Sequence, residues 1–535
     1  MTEDKARMER TTRREARSLL VLFGLAFGVR LYLAFHTYVI ANDGVLYVKV
    51  AQLISQGRVG EAMSLHFPSL FPLLLASFQR VFTDWEFSGQ MVSVLFGSLA
   101  IIPFYFLVKD LFDRDVALFS SILFSFHPYL VRFSGEVIKE PTFWFFFLMA
   151  LWLGWIAMTR KKVWLFILTS LLGTVSFLLR TEGIFTLIIL AAWIFFKDIR
   201  SFKWSYKQRI LHALVLCLIA LLILSPALIY VKKKTGSWNL ARTDLVAEMA
   251  RADVMMKEIK KNLDQVEFKS KESGTQGDFE EIRLRGFLSL AKDHRIVIIW
   301  FEGVSKFFKV IHPVLIIPLF FGIIGRKKIE YRKGAELFLL SVLVIFFLIL
   351  IRYGTIRAYI GTRHMIIPAI LCLPWVGAGV LELGYRIRTL FLREKSNDKV
   401  NVFLRNTGWF LMILIVLFLL PKTLSPQRVE KIPLKEAGIW IKEHGPKDPV
   451  IMAHNDLRRI AFYANGIFLE ILRNQDLVNY PEEKRVNFLV INEKDIEKYH
   501  PGLVKSLNPN YFKEEIVIGK SSGSYFIKVY SMKHF

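Results

Sequence analysis

Continuously apolar tracts recur along most of the first 420 residues, separated by short charged segments. Each is near the length needed to cross a hydrocarbon layer of roughly 30 Å. The stretch 335–351, AELFLLSVLVIFFLILI, is typical. Its polarity does not alternate, as a membrane barrel strand of about ten residues would require, so the pattern predicts helices. Candidate spans fall at 18–38, 89–108, 115–132, 138–158, 162–179, 183–197, 209–230, 309–325, 335–352, 363–386 and 404–421, about 11 in all. After residue 430 the pattern changes. DPVIMA (448–453) and VNFLVIN (486–492) predict buried strands, PLKEAGIWIKEHG (433–445) an amphipathic helix, and YFIKVYS (525–531) a last strand.

The expected fold class is therefore an all-α polytopic membrane protein with a small C-terminal α/β domain. Its predicted divisions are a basic tail (1–17), a transmembrane domain (18–421) with outer loops at 38–88 and 231–295, and the α/β unit (430–535). The polar stretch 253–281 reads as part helix, part loop. Composition agrees: of 535 residues 53% are hydrophobic and 47 are Phe, with a mean hydropathy of +0.39.

The net charge of +25 first suggests nucleic acid, but the basic residues concentrate in short loops. With the N-terminus in the cytoplasm, TRKK (159–162), KDIRSFKWSYKQR (197–209), GRKKIEYRK (325–333) and RIRTLFLREKSNDK (386–399) all fall inside. The bias accounts for the charge without nucleic acid, and the odd span count puts the C-terminal domain outside. The first span lacks a small-residue cleavage pattern and reads as a retained anchor in a multi-pass cell-membrane protein. Cys217 and Cys372 lie in apolar tracts and support neither a disulfide framework nor a thiolate metal site.

The acids and the amphipathic pieces fall on the predicted outer face, which points to that face for chemistry. In IANDGVLYVKVAQLISQGR (40–58), apolar positions at Val45, Leu46, Val50, Leu53 and Ile54 have helical spacing but too little apolar length to span, which predicts a helix along the membrane surface. Asp43 precedes it, either capping that helix or serving chemistry, two compatible roles. In RFSGEVIKEP (132–141), Glu136 and Glu140 are four apart, as on one helical face, with Arg132 and Lys139 as candidate counter-charges. In LRTEG (179–183), Arg180 and Glu182 either bind a phosphate or close a helical hairpin. RYGTIRAYIGTRH (352–364) carries Arg357, Tyr359, Arg363 and His364, a cationic cluster suited to a lipid phosphate. His66 and His312 are solitary, and no Walker loop, dinucleotide fingerprint, H-E-x-x-H or paired C-x-x-C is present.

These motifs, in order, resemble the GT-C membrane glycosyltransferases of the protein O-mannosyltransferase and lipid A aminoarabinose-transferase type (glycosyltransferase families 39 and 83). The resemblance rests on NDG..Y after span one, the Glu136–Pro141 turn before FWFF, LLRTEG, and TRHMIIPAILCLP before a late span, and covers roughly the first 420 residues. It implies two interfacial helices in the first outer loop, and inverting transfer from a polyprenyl- or dolichyl-phosphate sugar to a hydroxyl on a lipid, glycan or protein, on the extracytoplasmic face. By position, Asp43 would be the general base, Glu140 with neighbouring Glu136 the second acid, and Arg363 the residue at the donor phosphate. Tyr47, Arg180, Glu182, Arg357 and His364 would line the substrate site. The late motif has His364 where the family often has Tyr, and the second-loop acid is Glu, with Glu136 near Glu140, where Asp is common. No cofactor is implied with certainty; members differ in metal dependence, so a divalent metal is left open. The competing class is a transporter or flippase for a glycolipid, but no repeat pairs the two halves and the acids lie at the outer boundary, not mid-span.

Overall fold

The computed structural model describes residues 2–65, 70–196, 204–236, 238, 295–325, 334–357, 360–391, 406–471, 485–493, 496, 507, 511–520 and 523–532. The stretch 253–281, His66 and Tyr359 lie outside the described residues. The chain forms two compact units, one of residues 1–27, 96–131 and 140–423, the other of 28–95, 132–139 and 424–535.

Each of the eleven predicted apolar stretches carries helix. Six helices are long and apolar enough to cross a membrane, and two bent pairs bring the count to eight by length and composition, so the expected count of eleven is not confirmed. The remaining three stretches lie on shorter apolar helices, Val163–Leu179, Ile184–Phe196 and Thr407–Thr423. One bent pair, Ile299–Ile311 with Pro313–Ile324, turns by 96°. His312 sits at that break with φ of 80°, and Pro313 there cannot donate a helical hydrogen bond.

In the first unit, close helix packing depends on small residues. A Cβ on Gly322 would lie 1.7 Å from the Trp375 carbonyl oxygen, and one on Gly379 1.7 Å from that of Pro318. These glycines let the helices Pro313–Ile324 and Ile366–Phe391 approach backbone to backbone, the contact that replaces hydrophobic burial where lipid is as apolar as the core. Buried Phe147 and Phe346 pack edge to face at 5.6 Å.

The second unit contains three first-loop helices, Asn42–Ser55, Val59–Leu65 and Leu70–Phe82, together with a five-stranded sheet. The strands are β1 (Val450–Ala453), β2 (Ile467–Glu470), β3 (Phe488–Asn492), β4 (Phe512–Ile518) and β5 (Ile527–Met532), in the order β2-β1-β3-β5-β4. β1 runs parallel to β2 and β3, and β5 antiparallel to β3 and β4. The helix Ile432–His444 lays Leu434, Ala437 and Ile441 on one face with Ile451, Val490 and Val529, while Met452, Leu489 and Ile491 fill the other. Burial on both faces explains why β1 and β3 read as unbroken apolar runs. β2 and β4 carry exposed and charged positions, and the apolar-run criterion passed over them.

Candidate active site

In the first unit the predicted residues of three separate motifs meet. Arg180 follows the last residue of the helix Val163–Leu179 in extended conformation. Its guanidinium donates to Glu140 Oε1 at 2.5 Å and to Glu182 Oε1 at 2.6 Å. Both acceptors are buried, with residue exposures of 3% and 6%. A carboxylate at such depth is stable only beside a cation with good geometry. The turn of LRTEG is dictated by Gly183, where a Cβ would meet the Phe177 nitrogen at 2.4 Å. Glu140 is the first residue of the helix Glu140–Arg160 and so lies at the positive end of its dipole.

Arg363 completes the cluster, its guanidinium 3.9 Å from Glu140 Oε1 and its side chain 42% exposed. His364 Nδ1 accepts from the Gly361 backbone N–H at 2.9 Å, so the neutral ring carries its proton on Nε2. Glu140, Arg180, Glu182, Arg363 and His364 line one small depression floored by Phe143 and Trp144. Arg357 ends the helix Ala335–Arg357, and its side chain lies outside the described residues.

Asp43, Tyr47 and Glu136 belong to the second unit. The helix carrying Asp43 starts at Asn42, with Ala41 as its N-cap and no side-chain cap. This corrects the capping reading: Asp43 sits inside the first turn, where the dipole favours its charge. A Cβ on Gly44 would meet the Val137 carbonyl oxygen at 2.8 Å, so glycine allows this helix onto the turn that carries Glu136. Tyr47 is buried, edge to face with Phe71 at 5.3 Å.

Glu136 and Glu140 do not share a helical face as expected. The helix Pro128–Ser134 ends before Gly135, Glu136 lies in the following turn, and the next helix begins only at Glu140. Glu136, 2% exposed, accepts from Arg428 at 2.6 Å and lies 3.6 Å from Arg132. Arg428, 292 residues away, is a partner that the sequence did not suggest. It is held in the left-handed region with φ of 60°, a conformation costly for a residue with a Cβ. Its charge is stabilised against its burial by Glu136 and, more weakly, by Glu430 and Asp43.

Lys431 beside it is lowered to about 8 by burial and by the cations Arg459 and Arg428. Because the folded value lies below that of the unfolded chain, the unfolded state holds the extra proton between about pH 8 and 10. Stability should therefore rise with pH across that window. Lys431→Met is expected to flatten the rise of the thermal midpoint from pH 8 to 10, measured on the purified protein in detergent.

A cleft of about 1220 Å3 opens in the second unit along one stripe of the Asn42 helix (Val45, Lys49, Gln52), facing Lys435 and Lys442 of the Ile432 helix. Among the described residues no three His, Cys, Asp or Glu side chains gather as metal ligands, and Glu140 and Glu182 are already bridged by Arg180. These residues do not fit a metal site.

The fold is that of a mostly helical polytopic membrane protein with a small C-terminal sheet, similar to solved structures of GT-C type. Residues 66–230 match the family of dolichyl-phosphate-mannose-protein mannosyltransferases. No curated protein matches the sequence significantly. The fold is similar to ArnT from Cupriavidus metallidurans bound to undecaprenyl phosphate, at 12% identity and a TM-score of 0.56, covering 95% of this chain and 97% of that one. It is also similar to the Archaeoglobus fulgidus oligosaccharyltransferase tethered to an acceptor peptide, at 12% identity and a TM-score of 0.57, covering 97% and 74%. A third similar structure is the same organism's oligosaccharyltransferase AglB with an inhibitory peptide and a dolichol-phosphate, at 12% identity and a TM-score of 0.51, covering 96% and 74%.

Proposed function

We infer that this protein transfers a sugar from a polyprenyl-phosphate donor to a hydroxyl acceptor at the extracytoplasmic face, with inversion. The observation that carries this reading is the buried Glu140–Arg180–Glu182 cluster with half-exposed Arg363 beside it. Arg180 is neutralised and fixed by two acids, while the Arg363 side chain, 42% exposed beside them, presents a guanidinium of the kind that receives a phosphate. The similar folds that hold undecaprenyl phosphate and dolichol-phosphate support a lipid-phosphate donor.

In this reading Asp43 takes the proton of the acceptor hydroxyl as its oxygen attacks the anomeric carbon. The bond from that carbon to the phosphate oxygen breaks on the opposite face, and the lipid phosphate leaves with its negative charge met by Arg363, with His364 Nε2–H as a further donor. Glu140 holds Arg180 and orients the reactants. Anchoring the donor in the bilayer confines both reactants to one interface. The cleft along the Asn42 helix offers room for an acceptor larger than one sugar. The basic tail and short basic loops then face the cytoplasm, and the α/β unit faces outward.

The experiment is incubation of the purified protein with radiolabelled polyprenyl-phosphate sugars and a crude envelope acceptor fraction. An enzyme consumes the donor and releases polyprenyl phosphate. A transporter leaves the donor chemically intact while moving it across reconstituted vesicles, and that result would overturn the reading.

A further inference from the structure

The segment that leads into Asp43 is fixed by contacts from the far end of the chain. The N-cap of the helix Asn42–Ser55 is Ala41, which makes no side-chain cap hydrogen bond. Residues from beyond 424 bind the segment that precedes the helix. Gln427 N–H donates to the His36 carbonyl at 2.9 Å, and Tyr38 N–H donates to the Gln427 carbonyl at 3.2 Å. Two residues further on, both backbone polar groups of Ile40 are taken by side chains of the short helix Arg458–Tyr463. Ile40 N–H donates to the Tyr463 hydroxyl oxygen at 2.8 Å, and Arg459 Nε donates to the Ile40 carbonyl at 2.9 Å.

The Tyr463 hydroxyl is itself held, donating to the Glu86 carboxylate with both oxygens at 3.1 Å. Arg459 is 5% exposed and Ile40 1%. A buried hydrogen bond to a fixed partner is costly to leave unmade, so these contacts hold residue 40 in one place. Asp43 follows three residues later, in the first turn of a helix that Gly44 seats against Val137.

We propose that Arg459 and Tyr463 are positioning residues for the transfer reaction: the C-terminal α/β unit grips Ile40 and thereby aims the Asp43 carboxylate. The proposal rests on the reading of Asp43 as general base. It gives the appended unit a part in the chemistry through the backbone, with neither side chain touching the reacting atoms. A displacement of about 1 Å at a reacting group costs roughly 100-fold in rate, so a loosened grip should lower kcat and leave donor binding alone.

The test measures the grip and the chemistry separately in the full-length protein. Hydrogen exchange of peptides covering residues 37–44, followed by mass spectrometry, reads the grip without reference to activity. Steady-state kinetics with a polyprenyl-phosphate sugar reads kcat and KM. Tyr463→Phe is expected to speed exchange at the Ile40 amide about tenfold and to lower kcat about 10- to 100-fold with donor KM unchanged. Arg459→Met is expected to behave alike, and Arg459→Lys, which keeps a donor, to recover most of the rate. Unchanged exchange in Tyr463→Phe overturns the grip whatever Asp43 does. Faster exchange with normal kcat, alongside an inactive Asp43→Asn, overturns the positioning role alone. An active Asp43→Asn removes the base reading and the proposal with it.

Discussion

Asp43→Asn is expected to lower sugar transfer by about 100- to 10,000-fold, the range over which a positioned general base acts, with the protein present in membranes at its usual level. The substitution suits the fold. Asn is nearly isosteric with Asp, and Asp43 is not the N-cap of the Asn42–Ser55 helix, which is Ala41. The helix loses a favourable charge in its first turn, worth about 0.3–1 kcal/mol, and Arg428 loses a weak electrostatic contribution. What disappears is the capacity to take up a proton. Turnover in isolated membranes, normalised to protein by immunoblot, is the measurement; near-normal turnover would remove Asp43 from the role.

The second large effect is at Arg180. Arg180→Met leaves Glu140 and Glu182 buried without the cation that both of them bind, and breaking a buried pair in this way costs about 3–5 kcal/mol. Arg180→Lys is expected to be only a partial remedy, because an ammonium cannot bridge the two carboxylates as a planar guanidinium does. The triple variant Glu140→Gln, Arg180→Met, Glu182→Gln separates folding from function. Removing all three charges should recover most of the thermal midpoint, since a neutral polar cluster avoids the uncompensated charge. Transfer should stay lost. If the triple variant transfers sugar normally, the cluster is a structural ion pair that closes the helical hairpin, the alternative that the sequence left open.

Motif order made the first-unit cluster legible before any coordinates. Glu140, Arg180, Glu182, Arg363 and His364 each belong to a short polar break in an apolar run, and the structure lines one depression with all five. Such breaks stand out because charge near an apolar span is expensive. The second-unit surroundings of Asp43 were not legible. Arg428, Arg459 and Tyr463 lie in a segment of ordinary amphipathic composition, where arginine and tyrosine raise no flag. The Glu136–Glu140 spacing misled for a related reason: separation by four predicts a shared face only while the helix continues, and here Glu136 lies in a turn.

By itself, the sequence determined the helical membrane class, the α/β unit near the C-terminus and the acids and arginines worth suspecting, because apolar length and local periodicity are written residue by residue. Tertiary structure decided which acid meets which arginine: Glu140 with Arg180, Glu136 with Arg428. It also decided that residues from the end of the chain hold the segment before Asp43. Pairings across 40, 292 and more than 400 residues depend on how the helices and the sheet pack, and no local pattern encodes that.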